Sequence, residues 1–146
     1  MFLAAPVNPL NSSELIFPTL EVIHIAGSAV LMGTIGIVDF RLLGLGMRRE
    51  KTADVAQDVA PWSLLGLVLM LISGPLMFSS DPDMYYLNHA FQAKMVLLLV
   101  AIIFNYTIHR KVALRGASPM ASRLTACVSI GLWVSIVFGG IFIAFI

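Results

Sequence analysis

Apolar positions in this chain run in four long stretches, at about residues 17–40, 61–78, 89–109 and 125–146, with short polar segments between them. The hydrocarbon core of a bilayer is about 30 Å thick, which takes roughly 20 apolar residues of helix to cross. Each stretch is therefore a predicted membrane-spanning helix, and the four with their connections make residues 1–146 a single all-α domain. Connections this short make successive helices antiparallel neighbours, so the predicted architecture is an integral membrane, up-down four-helix bundle. Residues 1–14, with Pro6 and Pro9, form a predicted exposed lead-in. Pro18 suits the first turn of the first span, where a missing N–H is harmless. Arg48 to Asp58 predicts a separate charged surface helix. Pro61-Trp62 then opens the second span, and Gly74-Pro75 is expected to loosen its far end.

Charge sets the expected orientation. Only 12% of the 146 residues are charged, about half the share in a soluble domain. Of the nine basic residues, Arg41, Arg48, Arg49 and Lys51 lie between the first and second stretches, and Arg110, Lys111, Arg115 and Arg123 between the third and fourth. The segment between the second and third carries Asp81 and Asp83 and no cation. Cytoplasmic loops are enriched in Lys and Arg, so both termini are expected on the outer, periplasmic side. No basic run with interleaved aromatics exists, which removes nucleic acid as a partner. Cys127 stands alone, so an internal disulfide and a CxxCH haem attachment are excluded. The first residues lack a positive n-region, so a cleaved signal peptide is not expected.

The ninth cation, Lys94, falls inside an apolar stretch, and ionisable groups there are costly and face the bundle interior. At 100° per residue, Ser28 lies about 40° from His24, Glu21 and Asp39 about 60°, and Gly27 about −60°. The other side carries Ala26, Ala29, Gly33 and Gly36, a strip expected to pack against a neighbouring helix. On the third span, Leu98, Ala101, Asn105 and His109 all lie within about 60° of Lys94. His24 and Lys94 both sit roughly 9 Å below the outer start of their helices, so they are expected to be level and facing. Asp39, Asn105 and His109 gather at the opposite end, near Arg41 and Arg110. The bundle is expected to have two polar floors.

Plainer roles compete with chemistry at several of these positions. Lys94 can pair with Glu21 and only lock helices together. Asp39 is expected to pair near Arg41 or with a loop arginine. His89 and His109 are expected at the interface, Trp133 in the core, and Met70, Met77 and Met95 in packing. The chemical reading of the outer floor is a b-type haem held by the imidazole of His24, with Gly27 and Ser28 leaving room and Lys94 opposite. A metal or anionic-substrate path is the alternative, weakened by the lack of Met or Cys clusters that soft metals prefer.

The runs EVIHIAGSAVLMGTIGIVDFRLLGLGMR, PWSLLGLVLMLISGPLMF and NHAFQAKMVLLLVAIIFNYTIHRK resemble an uncharacterised group of small bacterial four-helix membrane proteins. The shared marks are His24 with Gly27, Asp39-x-Arg41 with Leu42-Leu43-Gly44, Pro61-Trp62, and Phe91-x-x-Lys94 ahead of Asn105. The early His and the Phe-x-x-Lys are also distantly similar to the copper-resistance D-type membrane domain and to the four-helix bacterial protoporphyrinogen oxidase. The resemblance implies a bacterial inner-membrane location and a haem or porphyrin site, with His24 as axial metal ligand and Lys94 as its cross-bundle partner. The Asp39-x-Arg41 motif departs from both of those families. The expected function is thus a haem-binding electron-transfer or accessory redox subunit, whose partners are the bilayer, other membrane subunits or a second copy. A haem-free structural or assembly subunit is the rival, followed by a porphyrin oxidase or small-solute transporter; whether the chain is an enzyme stays open.

The orientation has a direct check. A cysteine at Asp83 should react with a membrane-impermeant maleimide in intact cells, and one at Lys51 should not. Reversed labelling would invert the orientation.

Overall fold

The computed structural model describes residues 8–145, so the first seven residues of the expected lead-in and the final Ile146 lie outside the described residues. All regular structure among the described residues is helical. After a 3-10 turn at Pro9–Asn11 come α1 (Ile16–Leu43), α2 (Thr52–Ser80), α3 (Pro82–Tyr86), α4 (His89–Phe104), a π turn (Asn105–His109), α5 (Arg110–Arg115) and α6 (Pro119–Phe142). α4, the π turn and α5 form one unbroken helix, His89–Arg115. This helix and α1, α2 and α6 are each long and apolar enough to cross a membrane.

The helices overrun the apolar stretches, mainly at the cation-rich end. The expected surface helix at Arg48 to Asp58 does not exist as a separate element: Thr52 to Asp58 are the first turns of α2, which continues through Pro61 and Pro75. At 29 residues and about 1.5 Å each, α2 is roughly 44 Å long, enough for a hydrocarbon core plus both headgroup layers. Hydropathy marks only the part of a helix that lies in hydrocarbon, so the charged ends escaped it.

Each boundary has a local cause. α1 stops at Gly44, whose φ of 76° is left-handed and whose N–H returns to the Arg41 and Phe40 carbonyls. Asn88 and Ser118 cap α4 and α6, accepting from the backbone N–H of Phe91 and Ala121. The side-chain amides of Asn8 and Asn11 donate to the carbonyls of Ser79 and Ser80, covering the open end of α2.

The largest interface joins α1 to α2, and its closest approach is glycine on glycine. A Cβ on Gly66 would lie 2.7 Å from the Gly27 carbonyl oxygen and 2.7 Å from the Leu31 nitrogen. The strip expected to pack does not: a Cβ on Gly33 or Gly36 would meet nothing within 4 Å. Around the crossing lies a core of Leu31, Ile35, Leu67, Met70, Leu98, Ala101, Trp133 and Ile136. A second cluster, with Val38, Leu42, Val55, Ala113 and Ala126, fills the cation-rich end. Burial stops on the other side at Gly27, Ser73, Leu98 and Ile136; beyond them no residue of the four long helices is buried. The third of the bundle away from the cation-rich end is loosely packed, apart from the buried Asn88 that caps α4.

Gly66→Ala should therefore lower stability by about 1–3 kcal/mol, because backbone blocks the new methyl. Gly33→Ala should be neutral or stabilising by up to about 1 kcal/mol. Thermal unfolding in detergent separates the two, and equal effects would dismiss the glycine crossing as the tight contact.

Candidate functional sites at the two polar floors

The outer floor is built on His24. Its Nδ1 lies 2.9 Å from the Ser73 hydroxyl, and that hydroxyl donates its one proton to the Leu69 carbonyl at 2.6 Å. Ser73 must then accept from His24, so the ring carries its proton on Nδ1 and leaves the Nε2 lone pair free. Gly74 lets the imidazole lie across α2, since a Cβ there would stand 3.5 Å from His24 Cε1. Ser28 faces its own helix, donating to the His24 carbonyl at 2.7 Å. Gly27 is closed over by α2, as the helix crossing requires.

Lys94 rests on α6. Its Nζ would stand 3.1 Å from a Cβ on Gly140, and its Cβ 3.3 Å from one on Gly139. The two glycines thus let the lysine stem pass along α6 toward the loosely packed third of the bundle. The pairing with Glu21 is not formed: among the described residues no Lys or Arg lies within salt-bridge distance of a carboxylate, and the one such contact is that of the His109 ring with Asp39. Glu21 lies instead near Tyr85, in α3 beyond the helix ends. Burial, together with the carboxylates of Glu21 and Asp81, pushes that phenol above its usual pKa. Tyr85 also packs with Phe78 and Phe91, whose rings stack at 5.6 Å.

At the cation-rich end, Asp39, His109 and Ser129 form a buried cluster. Asp39 on α1 is 1% exposed, its Oδ1 2.7 Å from His109 Nε2 and its Oδ2 accepting from the Ser129 hydroxyl at 2.8 Å. One carboxylate thus ties three helices. The expected arginine partner is absent, because Arg41 lies two residues on, about 200° around the helix. Arg41 Nε donates to the Glu50 carbonyl instead. His109 is not at the interface either, at 4% exposed. The π turn explains this. In a regular helix Ala113 would lie about 120° from Ala101, and one extra residue in the turn cuts that to about 20°. The same shift turns His109 inward. Asn105 is buried beside it, and His89 is exposed at the helix start.

Ser73 and Ser129 were not singled out by the sequence reading. Both follow the core spacing of their helices: Gly66, Met70 and Ser73 on α2, and Thr125, Ser129 and Trp133 on α6, are all buried. Projecting those two helices, as was done for the first and third, exposes the signal.

A family model described as being of unknown function matches residues 15–146, and so spans all four long helices. No curated protein and no solved structure matches the chain.

Asp39→Asn should cost about 1–3 kcal/mol, because an amide N–H would then face a donor in a dry site. Arg41→Gln should leave the unfolding midpoint unchanged. Equal losses in a thermal melt would return the pairing to Arg41.

Proposed function

We propose, for a chain that belongs to the family of unknown function DUF6644, that it is a multi-pass membrane protein binding b-type haem at its outer polar floor. It acts as an electron-transfer or accessory redox subunit of a bacterial inner membrane, alone or beside other membrane subunits. The cation-rich end faces the cytoplasm and both termini lie outside, in keeping with eight loop cations at one end.

The observation that carries this reading is the state of His24. Its Nδ1–H is anchored on Ser73, and a hydrogen bond of that kind orients an imidazole whose other nitrogen is a ligand. Among the described residues no three His, Cys, Asp or Glu converge to hold a bare metal ion. A macrocycle brings four nitrogen donors of its own and needs little more than one imidazole. Haem supplies one-electron chemistry when bound; the chain supplies its position. His24 would hold the iron, and the unpaired ammonium of Lys94 would hold a propionate near water. The space beside Gly74, Gly139 and Gly140 is filled by His24 and Lys94 themselves, so a macrocycle would sit beyond the Gly27–Gly66 crossing, where no residue of the four long helices is buried.

A second reading, a haem-free structural or assembly subunit, is favoured by the outward strip of Ala26, Ala29 and Gly33, which is exposed and suits contact with another helix.

Purified protein expressed with ample haem should show a Soret band that shifts on reduction. His24→Ala should abolish it. Lys94→Ala should keep the band and speed haem loss about tenfold, the effect of one charged hydrogen bond. A wild-type protein without Soret absorbance would hand the function to the structural reading.

A further inference from the structure

At the other end of the bundle, α1, α2 and the π turn line a half-open cavity of about 310 Å³. Its apolar wall includes Ile35, Val59 and Leu64, and its polar wall Ser63, Asn105 and His109. These three polar residues are 8%, 9% and 4% exposed. Every fully enclosed side-chain nitrogen and oxygen among the described residues has a hydrogen-bond partner. His109 Nε2 is held by Asp39, and Nδ1, the Ser63 hydroxyl and the Asn105 amide make no hydrogen bond within the protein. Those three groups are therefore not fully enclosed, and their residues line the cavity. Pro61, also on the wall, has no N–H to give to the Gln57 carbonyl one turn earlier. Polar groups this deep are expensive to leave unmatched.

We propose that this cavity binds a small, uncharged, lipid-soluble alcohol or phenol, whose O–H is donated to His109 Nδ1 and whose oxygen accepts from the Asn105 amide. When an imidazole carrying one proton gives its Nε2–H to Asp39, Nδ1 is an acceptor, which calls for a donor on the ligand. Charge on the ligand is disfavoured. The Asp39 carboxylate already takes two donors and lies behind His109, and Arg110 is exposed at the rim. The volume is at the small end of ligand pockets, which suits a single ring and excludes a phospholipid. Entry is from the side. α2 meets the third helix chiefly through α5, and the exposed Pro61, Leu64 and Tyr106 flank the gap. A π turn in the wall accords with the frequent placement of such turns at functional sites. The site lies on the opposite floor from His24 and does not rest on the haem reading.

The test is fluorine NMR of 4-fluorophenol and of 4-fluoroanisole, which lacks the O–H, against the full chain in nanodiscs, with empty nanodiscs as the partitioning control. The phenol should show a saturable shift, and the anisole should bind at least about tenfold more weakly. Asn105→Leu should weaken phenol binding by about the same factor. Ala60→Leu, on the half-buried wall, should block it by filling the cavity if the first variant fails to fold. Equal binding of phenol and anisole, no saturable shift with either, or unchanged phenol affinity in a folded variant would each overturn the proposal. No haem is involved in any readout, so the outcome is separate from that of the Soret experiment.

Discussion

A carboxylate buried between three helices sets the terms for this bundle. Leaving a buried carboxylate without partners costs several kcal/mol, and both oxygens of Asp39 have donors. His109 and Ser129 provide them from two other helices. Helix order, rotation and depth must therefore agree within hydrogen-bond distance before α1 can stay where it is. Apolar contacts in a membrane supply little direction of their own, because lipid tails compete equally well. Here the polar cluster selects one arrangement among many that would pack.

The glycine crossing works on a different principle. Gly27 and Gly66 bring two backbones together, and the gain is dispersion across a long close contact. Together the two devices divide the bundle: α1 and α2 are joined at mid-height, and α1, α6 and the third helix are joined below it. Above the crossing neither device operates. The third of the bundle beyond it is loosely packed, and the polar side chains placed there, His24 and Lys94, rest on Ser73 and on the glycines of α6.

Much of this was legible in the sequence, and the rest was not for physical reasons. The four helices follow from stretches that have no other stable use, whereas their charged ends carry no hydropathy signal. A 100° projection put Asp39 and His109 at the same end, because face and depth depend on one helix at a time. It could not assign Asp39 its partner, since that depends on how two helices are turned toward each other. Adjacency in sequence suggested Arg41 and misled, because side chains two apart point almost opposite ways on a helix. Ser73 and Ser129 were missed because serine is nearly silent on a hydropathy scale. Gly27 was marked as small, but whether a small residue admits a ligand or a helix depends on what stands opposite.

The π turn at Asn105–His109 bears on how relatives of this chain should be aligned. It keeps one residue more than a regular helix needs between two core-facing halves, Leu98 and Ala101 on one side and Ala113 on the other. A relative one residue shorter there would run straight through as ordinary α-helix and still present the same faces. A gap that looks disruptive in the middle of a transmembrane span would thus be silent at this one place. Anywhere else along the third helix, the same deletion would turn everything beyond it by about 100°.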